Sequence, residues 1–146
     1  MARYLLIFKH YNINMNFKKY ILFTFLVISI VNIANAQEEL LNKTKTAFKT
    51  SNSKLLVENF NTIVELSFDG ERSQYNKTQS EIIMHDFFKK NPHKDFVIKH
   101  QGTSKDDGIK YAIGSYTYNG GAYRVYILVK QFKGVYFIDT IDFSKE

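Results

Sequence analysis

Apolar and polar positions follow two different rhythms along this chain, and the rhythm changes near Lys94. Before that point the spacing is helical. Leu40, Leu41, Thr44, Ala47 and Phe48 recur at three and four residues and share one helix face, with Lys43, Lys45 and Lys49 largely elsewhere. Thr50-Ser51-Asn52-Ser53 breaks this helix, and Ser53 is placed to cap a short second one carrying Leu55, Leu56 and Phe60. Thr62 to Phe68 alternates as a strand and ends at an Asp69-Gly70 turn. A third helix opens on Thr78-Gln79-Ser80-Glu81, the pattern of a capping box. Ile83, Phe87 and Phe88 supply its apolar residues, Lys89-Lys90 suits the negative helix end, and Asn91-Pro92 stops it.

From Lys94 onward the period is two, with turns near Asp106-Asp107-Gly108, Asn119-Gly120 and Lys133-Gly134. This predicts a four-stranded antiparallel meander. Helices first and strands last, with one strand between, give an α+β domain whose helices cover one sheet face. Two-residue turns fix a register. Tyr118 pairs with Gly121, Ser115 with Arg124, Ile113 with Tyr126, Tyr126 with Ile141, and Leu128 with Asp139. A four-residue Lys105-to-Gly108 loop sets His100 beside Ile113. One face then carries Phe96, Ile98, His100, Tyr111, Ile113, Arg124, Tyr126, Leu128, Phe137, Asp139, Ile141 and Phe143, and we assign it to the helices. The other carries Lys99, Gln101, Lys110, Tyr116, Tyr123, Val125, Ile127, Tyr136, Thr140 and Asp142. A slip of one residue exchanges the two faces.

The first part of the chain reads as an address. Lys18-Lys19, the uncharged run from Tyr20 to Ile33 and the small residues Ala34-Asn35-Ala36 form a signal peptide cleaved after Ala36, with translation expected to start at Met15. Residues 1–36 are therefore leader and residues 37–146 a single domain, secreted and periplasmic. The membrane is expected to be met only through an uncleaved leader. The chain has a net charge of +6, but the leader holds Arg3, Lys9, Lys18 and Lys19 and no acid, so the remaining 110 residues carry sixteen basic and fourteen acidic side chains. A net of +2 with no basic stripe excludes nucleic acid as the expected partner. No cysteine is present, so neither disulfides nor lipidation are available and packing alone must hold the domain.

Four segments carry a family likeness: Phe87-Phe88-x-x-Asn91-Pro92, His100-Gln101-Gly102-x-Ser104, Lys110-Tyr111-Ala112-Ile113-Gly114 and Tyr123-Arg124-Val125-Tyr126. They resemble an uncharacterised family of bacterial secreted proteins, domain of unknown function 4783. The resemblance spans nearly all of residues 37–146. It implies the nuclear transport factor 2-like fold, a cone made by a curved antiparallel sheet wrapped over N-terminal helices, and a Gram-negative periplasm. It implies no activity.

In such a cone, ligands of related folds lie between sheet and helices. His100, Tyr111, Arg124, Tyr126 and Asp139 are the polar side chains assigned to that face, so they form the candidate ligand-binding site. The preferred reading is a non-enzymatic domain holding a small, partly apolar molecule there. A second is a protein-interaction or homodimer module using the outer sheet face. A third is an isomerase or cyclase in which Asp139 or His100 is the base and Tyr126 the donor, the logic of proton transfer beside a carbonyl used by ketosteroid isomerase. No catalytic residue is assigned, and no cofactor or metal is expected. The chain has no zinc-helix histidine pair, no Gly-x-Ser-x-Gly and no phosphate-loop glycine pattern.

Overall fold

The computed structural model describes residues 38–104 and 108–146. The leader, its cleavage site and most of the Lys105-to-Gly108 connection fall outside them. Helix α1 spans residues 38–49 and buries Leu40, Leu41, Thr44, Ala47 and Phe48, the face set by their spacing. Its end is a Schellman turn: Ser51 N–H donates to Phe48 O (3.2 Å) and Asn52 N–H to Ala47 O (2.9 Å), with Ser51 at φ +50°. Helix α2, Ser53–Glu58, is capped one residue earlier than expected. The Asn52 side chain, not Ser53, accepts from Leu55 N–H at 2.9 Å.

Strand β1, Phe60–Phe68, turns at Asp69-Gly70 into β2, Glu71–Asn76, a strand that apolar alternation does not signal. Tyr75 is its one apolar residue. Helix α3, Lys77–Lys90, follows at once, so its cap lies two residues before the Thr78 pattern. Asn76 accepts from Gln79 N–H (2.9 Å), and Gln79 Oε1 accepts from Asn76 N–H (3.1 Å). Asn76 can do this because the strand leaves it extended, at φ −77° and ψ 170°.

The meander is as predicted: β3 His93–Thr103, β4 Ile109–Tyr118, β5 Gly121–Phe132 and β6 Val135–Lys145 pair antiparallel in sequence. It belongs to a larger sheet. The order is β2-β1-β6-β5-β4-β3, with β1 parallel to β6 and every other pair antiparallel. Tyr118–Gly121, Ser115–Arg124, Ile113–Tyr126 and His100–Ile113 pair as read from the turns. Two bulges alter the rest. Between Leu128 and Val129 the partner shifts from Thr140 to Ile138, so Asp139 is the extra residue. Tyr126 therefore faces Asp142 rather than Ile141, and Leu128 faces Thr140 rather than Asp139. Between Ile98 and His100 the partner moves only from Gly114 to Ile113, so Lys99 is extra on β3.

The helices cover the face opposite to the one expected along β4 and β5. Ala112, Tyr116, Tyr123, Val125, Ile127 and Val129 are buried, while Arg124 is exposed and Tyr111, Ile113, Tyr126 and Leu128 are only half-buried. The bulges reconcile this with Phe96, Ile141 and Phe143, which are buried as expected, and with Phe137, which is not. Phe48 is at the middle of the core. Its ring stacks on Phe96 at 4.4 Å and meets Phe88 edge-on at 5.8 Å, Tyr116 at 5.9 Å and Phe143 at 6.0 Å. Gly114 makes room for this layer: a Cβ there would stand 2.9 Å from the Phe96 ring and from Val97 O. The Tyr116 hydroxyl donates to Asn91 O at 2.7 Å, tying the end of α3 to β4.

Two outcomes follow for stability. Phe48→Ala is expected to cost about 3–5 kcal/mol, read by urea unfolding, because four ring contacts and their volume are lost together. Burial pushes the Tyr116 phenol up to about 12, with a Ser51 hydrogen bond opposing. Its folded value lies above its unfolded one, so the associated stability is complete below pH 10 and is lost as pH rises toward 12. Spectrophotometric titration is expected to find one tyrosine that ionises late, absent in Tyr116→Phe.

Candidate functional site

The outer face of the sheet is built in cross-strand rows. One runs Arg72, Ser67, Asp142, Tyr126, Ile113 and His100 across all six strands; the next runs Gln74, Glu65, Thr140, Leu128, Tyr111 and Gly102. Alternation of side chains puts each row on a single face. His100, Tyr111, Arg124 and Tyr126 are thus gathered as their register implies, but on the face away from the helices. The difference is one of parity. Arg124, Tyr126, Leu128 and Lys130 share one side of β5, and a row with two cations cannot be the buried one without partners for both. Val125, Ile127 and Val129 are the row without charge. That signal was present in the sequence.

The centre of this face is apolar. The rings of Tyr111 and Tyr126 lie 6.2 Å apart and within 20° of parallel, with Ile113 and Leu128 beside them. Gly102 on the neighbouring strand lets Tyr111 lie flat, because a Cβ there would come within 2.7 Å of the Tyr111 hydroxyl. Around this centre stand charges of both signs. Arg72 bridges Glu65 (3.3 Å) and Asp142 (3.5 Å), Lys130 holds Asp139 (2.6 Å), and Lys99 reaches Glu146 (3.8 Å). Arg124 is exposed and makes no ion pair among the described residues. Four cations therefore face four anions.

Asp139 does not join the tyrosines. As the bulged residue it is held by Lys130 Nζ and accepts from Asn61 Nδ2 at 3.3 Å, toward the start of β1. A base held in an ion pair at the side of an open face has no enclosed substrate to act on. On the helix side, the space a ligand would need is taken by Phe48, Met84, Phe96, Tyr116, Ile127 and Phe143, all inaccessible to solvent. Hollows lie at the margins instead. One of about 360 Å³ is lined by Phe68, Ile83, Asp86, Phe87, Lys90 and Asn91, and one of about 260 Å³ lies where the start of α1 meets Gly134, Val135 and Tyr136. No group of three or more His, Asp or Glu side chains converges as metal ligands among the described residues, and no described helix is long and apolar enough to cross a membrane.

The sequence profile of the family described as Domain of unknown function (DUF4783) matches residues 41–144. A DUF4783 family protein from Bacteroides ovatus, known from a crystal structure, is 31% identical, with a TM-score of 0.67 over 71% of this chain and 93% of that one. Another from Bacteroides uniformis is 27% identical, with a TM-score of 0.67 over 72% and 95%. An NTF2-like protein of unknown function from Shewanella baltica is 12% identical, with a TM-score of 0.61 over 80% and 95%, a likeness of fold alone. No curated protein matches the chain. Joined with the helix-covered, curved six-stranded sheet, these matches make the chain a member of the DUF4783 family, built on the NTF2-like α+β fold.

Proposed function

We propose that this is a secreted, non-enzymatic assembly domain that pairs with a second copy of itself through the outer sheet face. The observation that carries the reading is the composition of that face: an apolar centre of Tyr111, Ile113, Tyr126 and Leu128 within a rim of equal positive and negative charge. A two-fold interface must be complementary to itself. A field of one sign would repel its own copy and recruit an oppositely charged partner; a balanced one does neither. Aromatic centre and polar rim are also the anatomy of a specific interface. Size is adequate. Five strand spacings and some nine residues of strand give a face of roughly 24 by 30 Å, comparable with the ~800 Å² each partner of a stable complex buries.

Secretion rests on the order of Lys18-Lys19, the uncharged run and Ala34-Asn35-Ala36. The small-molecule reading needs room under the sheet, and the aromatic layer around Phe48 takes that room. His100 and Arg124 become rim residues, and Tyr111 and Tyr126 the centre of the contact.

Sedimentation equilibrium of residues 37–146 tests this. A concentration-dependent dimer is expected, and Ile113→Lys with Tyr126→Lys is expected to weaken it at least ~100-fold while circular dichroism and thermal unfolding stay close to the unaltered protein, because both side chains leave the core untouched. A monomer at every concentration, or a dimer indifferent to the two lysines, would overturn the reading.

A further inference from the structure

At the turn between β5 and β6 the outer face ends in an apolar pair that lies beyond its tyrosine centre. Phe132 and Val135 are cross-strand partners flanking Lys133-Gly134, and they are 64% and 52% exposed. Phe132 is the most exposed large hydrophobic side chain among the described residues. The turn is rigid: Lys133 and Gly134 take φ +50° and +82°, the mirror-image geometry that continues the twist of the two strands. The pair is thus held out at the end of a hairpin and cannot fold back on the core. Lys133 Nζ lies 5.4 Å from the centre of the Phe132 ring.

An aromatic ring and a branched aliphatic side chain at a protruding tip, with a long cationic side chain beside them, match the boundary of a bilayer. There the apolar groups enter the acyl region and the lysine extends back to the headgroups. The course of the chain gives the direction. The hollow beside Gly134, Val135 and Tyr136 is lined as well by Glu39, Leu40 and Lys43, so α1 begins at this end of the domain. Immediately before it, residues 20–36 contain no charged side chain, a stretch long enough to enter a bilayer.

We propose that the Phe132–Val135 hairpin tip is a lipid-surface contact that inserts into the boundary of the bilayer independently of the leader. The chain contains no tryptophan, so a single introduced one is an unambiguous reporter. The crystallised relatives are almost wholly spanned by this domain, which therefore folds without further sequence, and residues 37–146 can be tested alone. Phe132→Trp is mixed with vesicles of phosphatidylcholine and phosphatidylglycerol carrying brominated acyl chains. Its emission is expected to shift to the blue and to fall roughly two-fold by contact quenching, and Val135→Trp is expected to report the same from the opposing strand. Ile82→Trp, at an equally exposed apolar position on α3, is expected to change in neither respect. Unshifted emission at both tip positions with lipid in excess, equal responses from tip and helix, or a blue shift that follows protein concentration without vesicles would each overturn the proposal; the last would assign the tip to self-association.

Discussion

The ring of Phe48 is the contact on which the rest of this domain depends. It brings α1 against α3 through Phe88 and against three strands through Phe96, Tyr116 and Phe143. A domain of about 110 residues without cysteine has no disulfide to help its core offset the entropy of ordering its chain. Here that core is largely aromatic, and rings impose orientation as well as burial. Phe143 is at once stacked on Phe68 at 5.0 Å and tilted against Phe87 at 4.4 Å, so displacement of one ring is felt by the next. The same layer explains why a fold that can enclose a ligand does not offer its centre to one in this chain.

The elements were legible wherever a local interaction decides them. The α1 face, the Lys89-Lys90 helix end and the Asn119-Gly120 and Lys133-Gly134 turns follow from spacing and turn chemistry, and the register across β3, β4 and β5 follows from the turns. What the pattern could not carry was parity through a bulge. Lys99 and Asp139 each add one residue to one strand, and neither is a glycine or any other residue that announces a bulge. Because both rows of β4 and β5 hold aromatic and aliphatic side chains, periodicity alone is satisfied by either orientation. Charge breaks the tie, and Lys130 was the residue needed. Strand β2 carries no apolar alternation for a related reason: its polar Glu-Arg-Ser-Gln sequence suits a sheet edge, where polarity guards against pairing with other chains.

The candidate residues illustrate how much a correct register is worth even with the face reversed. His100, Tyr111, Arg124 and Tyr126 were grouped by pairing, and pairing groups them still; what changes is the medium they meet. Beneath the helices they would have been an enclosed polar cluster demanding partners. On the open face water can supply them, and the tyrosine pair presents its rings outward.

Strand β1 has its own consequence. It is inserted between β2 and the last strand, with Leu66 beside Ile141 and Phe68 beside Phe143, and it is fastened at both ends: Ile138 N–H donates to Asn59 O, and Asp69 N–H donates to Phe143 O. The first and last strands of the domain are therefore neighbours within the sheet, some seventy-five residues apart in sequence. Contacts of such separation form late, since a long loop must close before they contribute. A chain still lacking β6 has no partner for the inner side of β1, so the sheet cannot close until β6 is available. In folding, this connectivity is a timer: the first strand waits for the last.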